Sequence, residues 1–196
     1  MKDETVILLL AAGASKRLGT PKQLLSYKEG TLLEDTISKL LTLQAQKVYV
    51  VLGAHFDRIQ PTIAHLPIGI IQNHEWEKGM GTSISTGISY LIQEVSCKKI
   101  LITLVDLPLF EISNYEALLN THNTNNLGIS VTKYTNNQGV PVVFDSAYFE
   151  SLIKLSGEEG AKSILMENKS DVAYYEANIA YFDIDTMDDY VALVAP

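Results

Sequence analysis

Short apolar runs alternate with amphipathic stretches along the chain, which has 196 residues. A continuous apolar run of about four to eight residues is typical of a buried strand, whereas apolar positions spaced three and four apart are typical of a helix. Apolar runs predict strands at residues 6–10, 47–52, 68–72, 99–105, 128–134, 140–144, 172–176 and 180–184. Helices are predicted at residues 31–43, 56–63, 84–92, 113–121, 146–155 and 160–166, and from residue 186 onward.

This alternation of strands and helices predicts an α/β fold. The strands are apolar enough to be covered on both faces, so we expect a three-layer α/β/α arrangement around a Rossmann-like, mostly parallel sheet. A turn at residues 135–139 predicts an antiparallel hairpin, and Pro141, which has no N–H group to donate, places that hairpin at the sheet edge. The length fits a single domain over residues 1–196.

Helix starts and buried faces follow from local spacing. Thr31 with Glu34, and Ser113 with Glu116, have the spacing of a capping box, and Thr186 has the character of an N-cap. The positions predicted to face the core in the first helix and in the helix after Gly79 are Leu33, Ile37, Leu40, Leu41, Ile84, Ile88, Leu91 and Ile92.

Composition narrows the possible partners. Hydrophobic residues make up 46% of the chain and charged residues 19%, as in ordinary globular proteins, and the net charge of −8 argues against nonspecific binding to nucleic acid. No apolar stretch approaches the length of a membrane span. A single cysteine, Cys97, allows no internal disulfide, and residues 1–5 lack a signal-peptide core. We therefore expect a cytoplasmic protein.

A loop of small residues follows the first strand. Its residues 11–15 read Ala-Ala-Gly-Ala-Ser, and Arg17 and Lys22 come directly after them. Small residues let backbone N–H groups approach a ligand and form an anion nest, and two cations beside it favour a polyphosphate, most simply a nucleoside triphosphate. An ordinary strand-to-helix turn with solvated cations explains the same residues.

Carboxylates at two further places predict a metal site. Asp106 ends the most strand-like run in the chain, and Asp183 and Asp185 are two residues apart, so on one strand they would project from the same face. Together the three could hold one hard cation. The alternatives are a turn cap for Asp106 and an acidic helix start for the later residues.

Five ordered segments carry a resemblance to a known family. The segment from Leu10 to Lys22 resembles the signature Leu-Ala-Ala-Gly-x-Ser-x-Arg-(Met/Phe)-Gly-x-x-Lys of MocA/MobA-like nucleotidyltransferases, and it is most similar to the molybdenum cofactor cytidylyltransferase group. The other segments are residues 73–83, 106–109, 139–162 and 183–190. The departures from the family pattern are Leu18, Glu158, Lys162 and Met187.

The resemblance implies a fold like that of nucleotide-diphospho-sugar transferases and transfer of CMP from CTP to molybdopterin, with Mg²⁺ as cofactor. It implies a Mg²⁺ site at Asp106, Asp183 and Asp185, and catalytic roles for Lys22, Arg17 and Asp106. The residues that it places at the nucleotide are Leu10, Ala11, Ala12, Gly13, Ser15, Arg17, Lys22, Asn73, Gly79, Ser83 and Asp106. In the family, Ala at the position of Ala12 goes with CTP, and its methyl group would crowd a purine more than a pyrimidine.

Three other interpretations stay open. The segment 73–83 is also compatible with a tight turn capped by Thr82 or Ser83, with Trp76 as a packing residue. The acceptor could be a sugar phosphate or another phosphate monoester. The chain could also be a non-catalytic nucleotide- or cofactor-binding partner of a molybdenum hydroxylase. An active enzyme would instead pass its product to a chaperone or molybdenum enzyme.

The four histidines show no zinc spacing, and no Ser-His-Asp arrangement is predicted.

Overall fold

The computed structural model describes residues 5–44, 47–158 and 160–195. Its strands are β1 (Thr5–Ala11), β2 (Ser26–Tyr27), β3 (Gly30–Thr31), β4 (Lys47–Leu52), β5 (Gly69–Gln72), β6 (Lys99–Leu104), β7 (Ile129–Lys133), β8 (Gln138–Asp145) and β9 (Val172–Glu176). Its α-helices are α1 (Leu32–Leu41), α2 (Phe56–Ile63), α3 (Met80–Glu94), α4 (Ile112–Thr124), α5 (Phe149–Ile153), α6 (Lys162–Glu167) and α7 (Met187–Val194). The prediction that residues 1–5 lack a signal-peptide core rests mostly on residues 1–4, which lie outside the described residues.

Seven of these strands form one sheet in the order β5-β4-β1-β6-β8-β7-β9. β1 runs parallel to β4 and β6, and β5 runs parallel to β4. β8 is antiparallel to both of its neighbours, whereas β7 and β9 are parallel. The mostly parallel α/β sheet and the central position of β6 are therefore confirmed. The carboxyl ends of β1, β4, β5 and β6 lie at one edge, where loops meet ligands in such folds.

The sheet separates two apolar cores. Alternate residues of β1 point to opposite faces: Ile7 and Leu9 pack with α1, α2 and α4, whereas Leu8 and Leu10 pack with α3, α5 and α6. Both sets are buried, which is why the strand reads as a continuous apolar run rather than an alternating one. Helices on both faces of the sheet confirm the three-layer prediction.

The antiparallel hairpin is present, but its predicted edge position is wrong. β8 lies between β6 and β7, and the edge strands are β5 and β9. Pro141 is accommodated because the register between β7 and β8 shifts after Val131, so the proline falls between the paired positions. Its carbonyl accepts a 2.7 Å hydrogen bond from the Thr132 hydroxyl. A strand interior tolerates proline at such an irregularity because no ladder N–H is required there.

The strand predicted at residues 180–184 is not formed. This segment is extended, but it hydrogen-bonds to loops: Ile184 N–H donates to Asp106 O at 3.3 Å, and Tyr181 N–H donates to Asn136 Oδ1 at 2.8 Å. The chain after β9 thus crosses the ends of the strands instead of joining the sheet. Asp183 and Asp185 consequently owe their positions to this crossing and not to a strand face.

The predicted caps at Thr31 and Thr186 are confirmed as capping boxes. The cap at Ser113 is wrong: Glu111 is the N-cap of α4, and its N–H donates to Asn114 Oδ1 at 3.1 Å. α3 begins at Met80 with Gly79 as N-cap, so the alternative caps Thr82 and Ser83 lie inside its first turn.

The core positions were predicted correctly except at the helix ends. Leu41 and Ile92 are 36% and 44% exposed, since they lie in the last turns of α1 and α3, and the neighbouring Leu43 is buried instead. Within the described ranges, no helix is both long enough and apolar enough to cross a membrane.

Candidate functional site

A cavity of about 460 Å³ opens at the carboxyl ends of β1 and β6. Of the eleven residues expected at the nucleotide, every one except Asn73 lines it. Asp185 also lines it, although it comes from the crossing segment near the end of the chain, whereas Asp183 does not. The loops after β1, β5 and β6, which were predicted to converge at one edge of the sheet, therefore lie around one cavity.

The loop after β1 is held open by its own polar groups. The Ser15 carbonyl accepts from the N–H groups of Leu18 and Gly19, and its hydroxyl accepts from the Lys22 N–H at 3.0 Å. A Cβ atom built on Gly13 meets no heavy atom within 4 Å. The loop thus faces open space, as a phosphate-binding nest must.

Gln23 fixes this loop from beneath and was missed by the sequence analysis. Its side-chain amide donates to the carbonyls of Ala11 at 2.7 Å and Gly13 at 3.0 Å. The residue is 1% exposed, so these bonds are shielded from water. The only signal in the sequence is its position next to Lys22, which does not distinguish a loop support from a helix-surface glutamine.

Lys22 lies at the centre of a charged cluster. Its Nζ donates to Asp106 Oδ2 at 2.7 Å and to Asp185 Oδ1 at 3.0 Å, and Arg17 forms an ion pair with the other oxygen of Asp185 at 2.5 Å. Burial lowers the pKa of Lys22, but the charges and hydrogen bonds of the two aspartates outweigh that effect and hold its pKa above the usual value. The lysine is therefore a permanent cation beside the phosphate loop.

The carboxylates of this cluster fit a hard divalent cation at one atom in particular. Asp106 Oδ1 is buried and has no hydrogen-bond partner in the part of the chain that the structure describes. Such an orphaned oxygen is an acceptor that a metal ion would satisfy. The pKa of Asp183 is raised above its usual value, first by burial and then by the negative charges of Asp106 and Asp185. Among the described residues, no three His, Cys, Asp or Glu side chains are already arranged as a ligand set, so the metal role stays a prediction.

Asn73 supports the site without lining it. Its side-chain amide donates to the hydroxyls of Thr82 and Ser83, each at 3.0 Å, and its carbonyl oxygen accepts from the Glu75 N–H at 2.8 Å. It therefore connects the turn after β5 to the first turn of α3. Trp76, on that turn, lines the cavity. The nucleotide-binding role of Asn73 stays a prediction, and this geometry would make it indirect.

Two glycines let a later loop approach the cavity. A Cβ on Gly79 would lie 2.4 Å from the backbone of Gly157, and one on Gly81 would lie 2.7 Å from the backbone of Ser156. The Gly81 N–H donates to the Gly157 carbonyl at 2.8 Å. This contact brings Glu158 to the cavity wall. Glu159, in the same predicted loop, lies outside the described residues.

A contact between Ser130, His122 and Asp145, which the sequence does not suggest, lies away from the cavity. His122 Nδ1 lies 3.0 Å from Ser130 Oγ, and its Nε2 lies 3.1 Å from Asp145 Oδ1. Ser130 is fully buried and His122 is 3% exposed, and neither lines either of the two cavities described here. These residues connect α4 to β7 and β8, so the contact is structural.

Residues 7–172 match the MobA-like NTP transferase domain. The chain belongs to this family. The resemblance to MobA-like nucleotidyltransferases is therefore confirmed, and with it the nucleotidyltransferase class. Nicotine blue oxidoreductase of Paenarthrobacter nicotinovorans is 33% identical over 169 residues, which cover 82% of this chain and 80% of that relative.

Solved structures agree with the family fold. A homologue, from Mycobacterium sp. strain JC1, of Mycobacterium tuberculosis Rv0371c aligns with a TM-score of 0.85 at 26% identity, over 100% of this chain and 97% of that one. Rv0371c itself, in complex with manganese, aligns with a TM-score of 0.80 at 21% identity, over 97% of both chains. The similarity to Rv0371c, at this lower identity, shows a shared fold.

Proposed function

We propose that this member of the MobA-like NTP transferase family transfers CMP from CTP to the phosphate of molybdopterin, giving the cytosine dinucleotide and pyrophosphate. The observation that carries the proposal is the position of Lys22. Its ammonium group lies beside an open backbone nest and within hydrogen-bond distance of two carboxylates, 2.7 Å from Asp106 and 3.0 Å from Asp185. A cation between a phosphate nest and potential metal ligands suits phosphoryl-group chemistry.

The chain's own residues would position the reactants and balance their charge. The loop N–H groups, Arg17 and Lys22 would bind the triphosphate. An oxygen of the acceptor phosphate attacks the α-phosphorus, a new P–O bond forms, and the bond from the α-phosphorus to the bridging oxygen breaks, so pyrophosphate leaves with the electron pair. A phosphate monoester is already ionised near neutral pH, so this step requires no general base.

A divalent cation completes the charge balance. Asp106, with Asp183 and Asp185, would hold Mg²⁺, which when bound neutralises charge on the phosphates. The orphaned Oδ1 of Asp106 supports this role, and the related Rv0371c structure contains manganese. Before the metal binds, Lys22 and Arg17 neutralise Asp185; a bound triphosphate would then compete for the same two cations.

The methyl group of Ala12 supports CTP as the donor. Ala12 is 6% exposed and lines the cavity, and its carbonyl accepts from the Ala54 N–H at 3.0 Å, so its backbone is held in place. A fixed methyl group at the cavity wall leaves less room for a purine than for a pyrimidine. We further propose that the chain functions in the cytoplasm, as one domain over residues 1–196, and passes its product to a molybdenum enzyme or its chaperone.

A second candidate function comes from the name of one relative. Nicotine blue oxidoreductase is 33% identical to this chain over the aligned region, and its name describes a redox reaction of nicotine blue rather than nucleotidyl transfer. Two further alternatives keep the nucleotide cavity: transfer to a sugar phosphate, and binding of nucleotide or cofactor without turnover.

The decisive experiment measures pyrophosphate release with Mg²⁺ while CTP, GTP and ATP are offered in turn with molybdenum-loaded molybdopterin. Release with CTP alone would support the proposal. Pyrophosphate release only when a sugar phosphate is offered would show that the acceptor is a sugar phosphate. Reduction of nicotine blue by a reduced nicotinamide nucleotide, without any pyrophosphate release, would show that the chain catalyses a redox reaction instead.

Variants of the charged cluster show whether the activity belongs to this site. Asp106→Ala and Lys22→Ala should each lower kcat by about 10²-fold or more, because each removes a group that would stabilise developing charge. Asp57→Ala is the control, since Asp57 is exposed on α2 and does not line the cavity. Full activity of a folded Asp106→Ala variant would refute the mechanism.

A further inference from the structure

A second cavity, of about 480 Å³, lies on the face of the sheet that carries α3 and α6. Its inner wall is apolar, with Val131, Val142 and Val172 all buried. Its rim contains two large apolar side chains that are unusually exposed, Met166 at 57% and Tyr174 at 44%. Apolar surface in a concave site, with more of it exposed at the rim, is typical of a ligand site.

Two cations line this cavity, and no carboxylate among the described residues pairs with them. Lys162 begins α6 and Lys169 follows the end of that helix; both are exposed and line the cavity. Within residues 5–44, 47–158 and 160–195, neither ammonium group forms an ion pair. The whole chain has a net charge of −8, so two unpaired cations at one cavity favour an anionic ligand.

Met80 connects the two cavities. It is the first residue of α3, and its side chain belongs to the walls of both. A Cβ on Gly160 would lie 3.2 Å from its sulfur, so the loop before α6 packs closely on this thioether. The two cavities therefore adjoin at Met80, on the side of the first cavity that Gly79 and Ser83 also line.

We propose that the second cavity binds the body of the acceptor, and that it selects a planar heterocycle with anionic groups. This inference rests on the proposed function. The ring would pack on the valines and on the thioethers of Met80 and Met166, which make favourable contacts with aromatic rings. Lys162 and Lys169 would bind the anionic groups, and the reacting phosphate would extend into the first cavity.

The same wall disfavours a sugar phosphate. A sugar carries hydroxyl groups on its faces, and those placed against Val131, Val142 and Val172 would lose their bonds to water without gaining a partner. The polar groups of a planar heterocycle lie at its edge instead, and Asn137 and Gln138 also line the cavity. Among the acceptor classes that the sequence leaves open, the cavity therefore favours molybdopterin over a sugar phosphate.

Steady-state kinetics on a double variant test the inference. Lys162→Ala with Lys169→Ala should raise the KM for molybdenum-loaded molybdopterin about tenfold or more, because two charge-assisted contacts are lost, while the KM for CTP is unchanged. Lys154→Ala is the matched control, since Lys154 is exposed and lines neither cavity. Met166→Glu, on the exposed rim, should raise the same KM by adding a negative charge. An unchanged acceptor KM in folded variants would overturn the proposal.

A binding measurement separates failure of this inference from failure of the proposed function. The intrinsic fluorescence of pterin-6-carboxylate, a planar pterin whose carboxylate is the kind of anionic group expected at Lys162 and Lys169, reports binding without turnover. We expect saturable binding to the wild-type chain, weakened about tenfold in the double lysine variant, and no competition from glucose 1-phosphate. Binding with this pattern but no pyrophosphate release would refute the proposed reaction and keep the cavity; equal binding by both proteins would refute the cavity.

Discussion

Lys39 Nζ donates a hydrogen bond of 2.8 Å to the backbone carbonyl of Pro108, two residues beyond Asp106. The same ammonium group lies 3.0 Å from Glu111 and 3.4 Å from Asp35, and the residue is 8% exposed. A buried cation on α1 thus anchors the loop that follows β6 to the helix behind it. We infer that this anchor keeps Asp106 at the wall of the nucleotide cavity.

Lys39→Met tests this anchor because it keeps the length of the side chain and removes the charge. We expect kcat to fall about tenfold, and the free energy of unfolding to fall by about 3 kcal/mol, since a half-broken buried pair leaves its partners uncompensated. Kinetics and urea unfolding measure the two effects separately. Lys154→Met is the control on an exposed lysine, and a folded Lys39→Met enzyme with wild-type kcat would contradict the role.

Gly13→Ala and Gly81→Ala should separate binding from folding. An added Cβ meets nothing within 4 Å at Gly13, but at Gly81 it lies 2.7 Å from the Ser156 backbone. Gly13→Ala should leave stability within about 0.5 kcal/mol of wild type and raise the KM for the nucleotide, because the methyl group enters the space of the ligand.

Gly81→Ala should instead lower the free energy of unfolding by about 1–3 kcal/mol, as overpacking does. Thermal unfolding and nucleotide titration of both variants make the comparison. A Gly81→Ala variant as stable as wild type would show that the loop at residues 156–158 yields easily.

Ala12→Gly tests the choice of nucleotide. Removing the methyl group at the cavity wall should raise kcat/KM for GTP relative to CTP by about tenfold, the amount that one methyl-sized group contributes to discrimination. Ala14→Gly, in the same loop and also lining the cavity, controls for a general loosening of the loop. If both variants change the ratio equally, Ala12 does not set the preference.

Asp171 should contribute stability that depends on pH. Its carboxylate accepts from the Tyr148 hydroxyl and, at 3.0 Å, from the Gly128 N–H, and these bonds hold its pKa below the usual value. A lowered pKa in the folded state stabilises the fold above the unfolded-state pKa, about 3.9, and this contribution is lost as the pH falls through the lowered value.

Asp171→Asn should therefore be less stable than wild type at pH 7, and the difference should shrink below about pH 4. Tyr148→Phe removes the larger cause of the shift and should weaken the same pH dependence. Urea midpoints measured from pH 7 to pH 3 give the result, and a pH-independent difference between wild type and Asp171→Asn would contradict it.

The sequence predicts the parts of the molecule that depend on local pattern. β4, α2 and β9 begin and end at the predicted residues, because apolar runs and helical spacing are visible in the chain itself. The meeting of Lys22 with Asp106 is also predictable, since parallel strands bring their carboxyl ends to one edge. The edge position predicted from Pro141 was wrong because a register shift between β7 and β8 leaves this residue where no N–H donor is required.

The rest depends on paths that no local pattern reveals. Asp185 bonds to Lys22 across 163 positions of the sequence, and it does so from an extended segment that belongs to no strand. Lys39 could not be recognised because a lysine on a helix is ordinarily solvated. The Ser130–His122–Asp145 contacts were missed for a similar reason, because three elements must pack before these side chains meet.

The reversed direction of β8 marks a seam within the sheet. The parallel strands β1, β4, β5 and β6 precede Asp106, whereas residues 128–176 carry β7, β8, β9 and nearly all of the second cavity's wall. Between these strands the seam is the β6–β8 ladder, in which Ile100, Leu101 and Ile102 pair with Phe144, Val143 and Val142. A segment exchanged from a relative would have to preserve this apolar ladder and the Gly81–Gly157 contact to leave the first cavity unchanged. If the two cavities have the proposed roles, the fold would let the acceptor change while the nucleotide is kept.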